Sequence, residues 1–234
     1  MIGKGKSISH GVAALEYDLA KEIDGQAAAT EMARHELYGC TGAEMVQEMK
    51  PYHIDFPNVK NNCLRFEVSP SIEESATFTD ADWAELGNDF MQRMGLANHQ
   101  YIIIRHSGTE SKKEQAHLHI LANRVSLSGE LYRDNWIGKK ATEAANAIAK
   151  ERNFVQSQDI GKVNKAEIKE AMDGVLKKMQ GFDLTKFKEE LGKRGFKVRE
   201  ARASTGKLNG YYVTARSGTE YKASEIGKGY TLAH

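Results

Sequence analysis

The chain has 234 residues, 40% hydrophobic and 28% charged with 3 prolines, which argues against disorder and fits one large domain or two small ones. No run approaches the roughly 18 apolar residues of a membrane span, residues 1–6 (MIGKGK) lack the apolar core of a secretory signal, and two cysteines, Cys40 and Cys63, make neither a disulfide framework nor a CxxC metal site. A cytoplasmic protein without membrane insertion is expected, and the net charge of +1 divides unevenly, −6 over residues 1–128 and +7 over residues 129–234. The split raises the odds of a polyanionic partner for the second half, although on charge alone well-solvated Lys-rich helices account for it better.

Residues 7–10 read as an extended lead-in to a helix that starts near Gly11. Residues 27–38 and 41–49 read as two short helices, the second stopped by Pro51. In residues 62–69, Leu64, Phe66 and Val68 alternate with Arg65, Glu67 and Ser69, which predicts a half-buried strand ended by Pro70. Thr79 caps a helix with a stripe of Trp83, Leu86, Phe90 and Met94, and Gly95 follows at the C-cap. Residues 100–105 and 116–125 are apolar strands, joined by the polar stretch 107–115 as a hairpin with a long solvated tip. Residues 138–152 form a helix, residues 164–195 two amphipathic helices, and the tail holds strand-like pieces, FKVREA and GYYVTAR. The expected fold is α+β, a central antiparallel β-sheet of about five strands flanked by helices. Residues 1–160 would form the core, and residues 161–234 a basic helical and β-hairpin extension packed on it.

His117-Leu118-His119 carries the clearest chemistry. Residues two apart on a strand share a face, so both imidazoles leave the sheet together. His106 ends the preceding strand, and in a hairpin it lies opposite the start of the next, so three imidazoles converge. Three histidines with open coordination positions suit a catalytic metal site rather than a closed structural one. Arg65, Arg105 and Arg124, with the polar Asn123, stand on the same predicted strands and would rim the cation, which favours an anionic, phosphodiester substrate.

A strand, then Arg105-His106, a polar loop, His117-Leu118-His119-Ile120 and Asn123-Arg124-Val125 resembles the His-hydrophobic-His relaxases of conjugative and mobilisable elements, most of all their mobilisation branch. The stretch ending in Tyr17, the strand to Pro70, the helix to Gly95 and the tail at residues 224–230 fall where such proteins have theirs. The resemblance implies a relaxase-like palm and strand-specific nicking of DNA at an origin of transfer. A tyrosine attacks the scissile phosphate, leaving a 5′-phosphotyrosine adduct and a free 3′-OH. It implies His106, His117 and His119 as ligands of a divalent metal, Mn or Mg, with other transition metals also suited to imidazole. Tyr17 would be the nucleophile, His10 a second candidate.

Glu67 would either buttress a ligand histidine or Tyr17, or pair with an arginine on an exposed face. Glu110 and Glu114 in the hairpin loop read as solvated. For DNA grip, Lys139, Lys140, Arg152, Arg199, Arg202, Lys207, Arg216, Lys222 and Lys228 interleave with Tyr211, Tyr212, Tyr221 and Tyr230, a pattern suited to single strands. Expected partners are single-stranded or hairpin DNA at an origin of transfer, an accessory DNA-binding protein and a coupling protein. The ending at Thr231-Leu232-Ala233-His234 fits a relaxase domain of a longer protein. Three other readings stand: a rolling-circle replication initiator using Tyr132, Tyr211 or Tyr212, a non-covalent metal-dependent nuclease, and a DNA-binding module without catalysis.

Overall fold

A computed structural model of the chain describes residues 1–23, 25–108 and 115–232. The chain divides into two units, Met1–Ser157 and Gln158–His234. The first unit runs β1 (Ile2–Ile8), α1 (Gly11–Leu19), the short ribbon β2 (Glu22–Ile23) and β3 (Gln26–Ala27), β4 (Ala29–His35), α2 (Gly42–Met49), a 3-10 turn (Lys50–His53), β5 (Cys63–Ser69), α3 (Ile72–Ser75), α4 (Asp80–Arg93), β6 (His99–His106), β7 (His117–Ser126) and α5 (Ile137–Glu151). The second holds α6 (Ser157–Leu176), which opens at the division, then α7 (Leu184–Lys193), β8 (Lys197–Arg202), β9 (Leu208–Thr214), β10 (Glu220–Lys222) and α8 (Ala223–Ile226).

Five strands of the first unit form an antiparallel sheet in the order β1-β5-β7-β6-β4. One face buries Phe66, Ile103, Leu118 and Ile120 against Phe90 of α4 and Ile148 of α5. Part of the other buries Ile102, Ile104 and Leu121 against Leu15 of α1 and Met45 of α2. Strands covered on both faces need no polar alternation, which is why residues 101–104 read as one apolar run. Capping boxes start α2 (Thr41 with Glu44) and α4 (Thr79 with Asp82), each satisfying backbone N–H groups that a helix end leaves open. The protein is α+β, with a central five-stranded antiparallel sheet flanked by helices.

Residues 27–38, read as a helix, instead supply β4. Its Ala-rich sequence favours helix, but pairing with β6 overrides the weak propensity. As an edge strand it carries the exposed pair Glu31–Arg34 and a bulge between Glu31 and Ala33, two devices that discourage further pairing.

In the second unit, α6 and α7 cover one face of a three-stranded antiparallel sheet ordered β10-β9-β8, with Phe187, Leu191, Phe196, Tyr211 and Val213 at its centre. Helix α6 starts seven residues before the expected 164, and β10 was not foreseen. Among the described residues, no helix is long and apolar enough to cross a membrane.

Candidate active site

His106, the last residue of β6, pairs with His117, the first of β7, and His119 follows two residues on along the same face. Ring centroids lie 4.4 Å apart for His106 and His119, 4.8 Å for His117 and His119, and 5.4 Å for His106 and His117. One ligand atom from each histidine falls within 4.8 Å of the others. Nε2 of His117 and Nε2 of His119 are 3.0 Å apart. Metal–nitrogen bonds of about 2.0–2.1 Å place adjacent ligand atoms roughly 3.0–3.4 Å apart, so this pair is spaced to share one ion.

The remaining ring nitrogens are tied down. Nδ1 of His117 donates to the carbonyl of Gln115 at 2.9 Å, and Nε2 of His106 donates to the carbonyl of Asp18 at 2.7 Å. A carbonyl only accepts, so these bonds leave a lone pair on Nε2 of His117 and on Nδ1 of His106. Burial, with the neighbouring His106, His117 and Arg65, pushes His119 down to about 2, and burial also lowers His106. Neutral imidazoles with free lone pairs are the ligand form a metal requires.

Asp18, at the end of α1, is 1% exposed. Both its oxygens accept from the Arg65 guanidinium, and Oδ1 lies 3.8 Å from Nδ1 of His119, beside which Arg65 Nη2 stands at 3.4 Å. Burial pushes the Asp18 carboxyl up, against the pull of Arg65. On the open part of this face, Lys4, Glu67 and His119 form one cross-strand row and Lys6 and Arg65 the next. All five border a pocket of about 210 Å³.

The MobA/VirD2-like nuclease domain of the relaxases matches residues 17–154, more than half of the chain. The chain belongs to the relaxase family. No curated protein and no solved structure matches it.

Within the relaxase domain, Tyr17 stands on α1 beside Asp18, one peptide from the carbonyl that holds His106, and its side chain is 61% exposed. The two acidic neighbours of Tyr17 are both engaged. Glu16 accepts from the Ala43 amide at the start of α2 at 3.0 Å, and Asp18 holds Arg65. His10 is exposed at the other end of α1, roughly 12 Å along the axis from Asp18.

Glu67 borders the pocket beside His119, but its carboxylate accepts from Lys4 at 2.8 Å, and the carboxylate that faces His119 is Asp18. Of the three arginines expected around the metal, only Arg65 is there. Arg105 shares the face of Ile103 and bonds Asp80 of α4 at 2.5 Å, and Arg124 holds Asp134 and the carbonyls of Asn61 and Tyr132.

Asn123, expected at the DNA, lies inside the fold. It is fully buried, accepting from His53 at 2.6 Å and the Val125 amide, and donating to Gln100 and the Met49 carbonyl. Lys139, Lys140 and Arg152 belong to the helix layer on the opposite face of the sheet. Arg152 pairs with Glu85, and the exposed Lys139 pairs with Glu143 at 3.7 Å.

In the second unit, Arg202 pairs with Glu200 and Lys207 is exposed in the β8–β9 turn. Tyr211 donates its hydroxyl to the Tyr230 carbonyl at 2.6 Å, and burial pushes it up to about 12, both unfavourable to a nucleophile. Glu110 and Glu114 lie outside the described residues. Lys4 and Lys6 were missed in the sequence. The signal was there: Gly3-Lys4-Gly5-Lys6 alternates with a period of two, glycines toward α5 and lysines toward the histidines.

Proposed function

We propose that the chain is a metal-dependent DNA relaxase that nicks one strand by tyrosine transesterification, for mobilisation of a plasmid or transposon from an origin of transfer. The observation that carries this reading is the tie between α1 and the histidine cluster. Asp18 contacts His106 and approaches His119, and the neighbouring residue in the chain is an exposed tyrosine.

His106, His117 and His119 would hold the ion. A divalent metal bound there, Mn²⁺ or Mg²⁺, supplies polarisation of a non-bridging phosphate oxygen. The Arg65 guanidinium, 3.4 Å from Nδ1 of His119, and the Asp18 carboxylate, 3.8 Å from it, help to position that ring. Lys4, Lys6 and Arg65 draw the strand's phosphates onto the open face. The bond from Tyr17 Oη to phosphorus forms as the bond to the 3′ oxygen breaks, and the 3′ oxygen takes up a proton as the phenol loses one. The product is a 5′-phosphotyrosine link and a free 3′-OH. The basic second unit adds further contacts to the DNA. In this cytoplasmic setting the partners are single-stranded or hairpin DNA, an accessory DNA-binding protein and a coupling protein.

The test is denaturing electrophoresis with a labelled single strand carrying the element's transfer origin and Mn²⁺ or Mg²⁺. A metal-dependent adduct that Tyr17→Phe abolishes is expected. An adduct that survives in Tyr17→Phe makes another residue the nucleophile, and cleavage without an adduct makes the enzyme a hydrolytic nuclease.

A further inference from the structure

Trp136 and Ile137 are consecutive bulky apolar residues with opposite fates. Ile137 enters the core at 8% exposure, while Trp136 is 81% exposed. The backbone of Trp136 is left-handed, φ 58° and ψ 28°, a conformation that crowds any residue with a Cβ and that glycine or asparagine would adopt more easily. The posture is held from both sides: the Ile137 amide bonds the Asp134 carbonyl, the Lys140 amide bonds the Trp136 carbonyl, and Arg124 holds the Asp134 carboxylate. Folding therefore gains little from this indole, yet the loop is built to present it.

The surroundings are cationic. Arg133 and Lys139 are exposed on either side in the chain, Lys139 in a solvent-exposed i,i+4 pair with Glu143 at 3.7 Å that a phosphate can displace, and the Lys140 ammonium sits 4.9 Å from the centroid of the Tyr132 ring. The patch also neighbours the candidate active site through β1, the edge strand of the sheet opposite β4, on which α5 packs. A Cβ built on Gly138, two residues on, would lie 3.5 Å from the Gly5 carbonyl oxygen, and Lys4 and Lys6, on either side of Gly5, border the pocket beside His119. A strand lying over Lys4 and Lys6 would cross the β1 edge on the side where α5 begins, next to Trp136 in the chain.

We infer that Trp136 is a stacking platform for a nucleobase of single-stranded DNA, with Arg133 and Lys139 meeting the neighbouring phosphates. A flat exposed ring among cations matches the two recurring needs of single-strand binding, a face for the base and charge for the backbone. The choice of DNA rests on the nicking reading, while the stacking geometry does not.

The chain contains two tryptophans, and the other, Trp83, is 3% exposed, so Trp136 dominates any fluorescence response to an external quencher. The experiment titrates the full chain, without metal, with an oligothymidylate of about 12 nucleotides, following tryptophan emission and the anisotropy of an end label in parallel. Emission should fall as the labelled strand binds, and the fall should vanish in Trp136→Phe. Trp136→Leu should weaken binding about tenfold and Trp136→Tyr should restore most of it. Saturated anisotropy with unchanged wild-type emission overturns the inference, and needs no variant to fold. So does a Trp136→Leu protein that binds as the wild type does. Because the probe carries no nick site, quenching without adduct formation on an origin strand supports the platform while refuting the nicking reading. Adduct formation without quenching does the reverse.

Discussion

Asp18 bonds one of the three clustered histidines and stands close to a second: its backbone carbonyl accepts from Nε2 of His106 at 2.7 Å, and its carboxylate lies 3.8 Å from Nδ1 of His119, outside hydrogen-bond range. A carboxylate behind a ligand imidazole fixes the ring and raises its basicity, and losing such a partner typically costs about 10- to 100-fold in metal affinity. Asp18→Asn keeps the shape and the backbone bond but removes the charge. Titration calorimetry with Mn²⁺ should show a loss of that size. Nicking should fall at limiting metal and recover in excess, a rescue that a nucleophile mutant such as Tyr17→Phe would not show.

An ion held by the histidine cluster would make folding stability depend on metal. An ion that binds only the folded chain stabilises it by about 2.7 kcal/mol when present at 100 times its dissociation constant. Thermal melts of the wild type should shift upward with Mn²⁺ and return to the baseline with a chelator. In His117→Ala the metal-dependent shift should disappear. A shift of full size in that variant would place the ion elsewhere.

The alternation of a strand made the histidine face legible, and the same alternation excludes two of the arginines expected beside it. Arg105 precedes His106, and Arg124 lies five positions from His119, so both must leave the opposite face. Asn123 has the right parity but lies at the far end of β7, where it is bonded to His53 of the 3-10 turn, a long-range cover that no local pattern announces. Asp18 was hidden for a related reason. Its neighbour Tyr17 drew attention as a candidate nucleophile, while the burial of the carboxylate depends on Arg65, 47 residues away. The β4 strand was misread because its local composition favours helix and only pairing with β6 decides otherwise.

Acidification should destabilise the fold through His99. Its ring is buried, donates Nδ1–H to the Asn123 carbonyl at 2.9 Å and faces Glu130 and Tyr132, and burial lowers its pKa below the ordinary histidine range. The unfolded chain takes up this proton near pH 6.5 while the folded chain resists it, so protons favour unfolding below that pH. Stability should be flat above about pH 7 and fall as pH drops through 6.5, by at most about 2 kcal/mol at pH 5 for this one group. His106 and His119 act in the same direction. Urea unfolding of metal-free protein at pH 7 and pH 5 should therefore show a smaller difference in His99→Gln than in the wild type.

The two faces of β1 make opposite predictions for neighbouring residues. A Cβ at Gly3 would lie 2.4 Å from the Ala141 carbonyl oxygen and 2.6 Å from the Ala145 Cβ, so α5 packs directly on the bare backbone. Gly3→Val should cost at least about 1–3 kcal/mol from overpacking, seen as a lower urea midpoint. Lys6, three residues on and facing the other way, has no such packing to lose, so Lys6→Ala should leave the urea midpoint unchanged. Its effect belongs to DNA: affinity for a single strand should fall, and the slope of log K against log salt should become shallower by roughly one counterion. If Lys6→Ala binds with the wild-type slope, the strand does not cross the β1 side of the histidine cluster, and the path drawn for it over Lys4 and Lys6 is wrong.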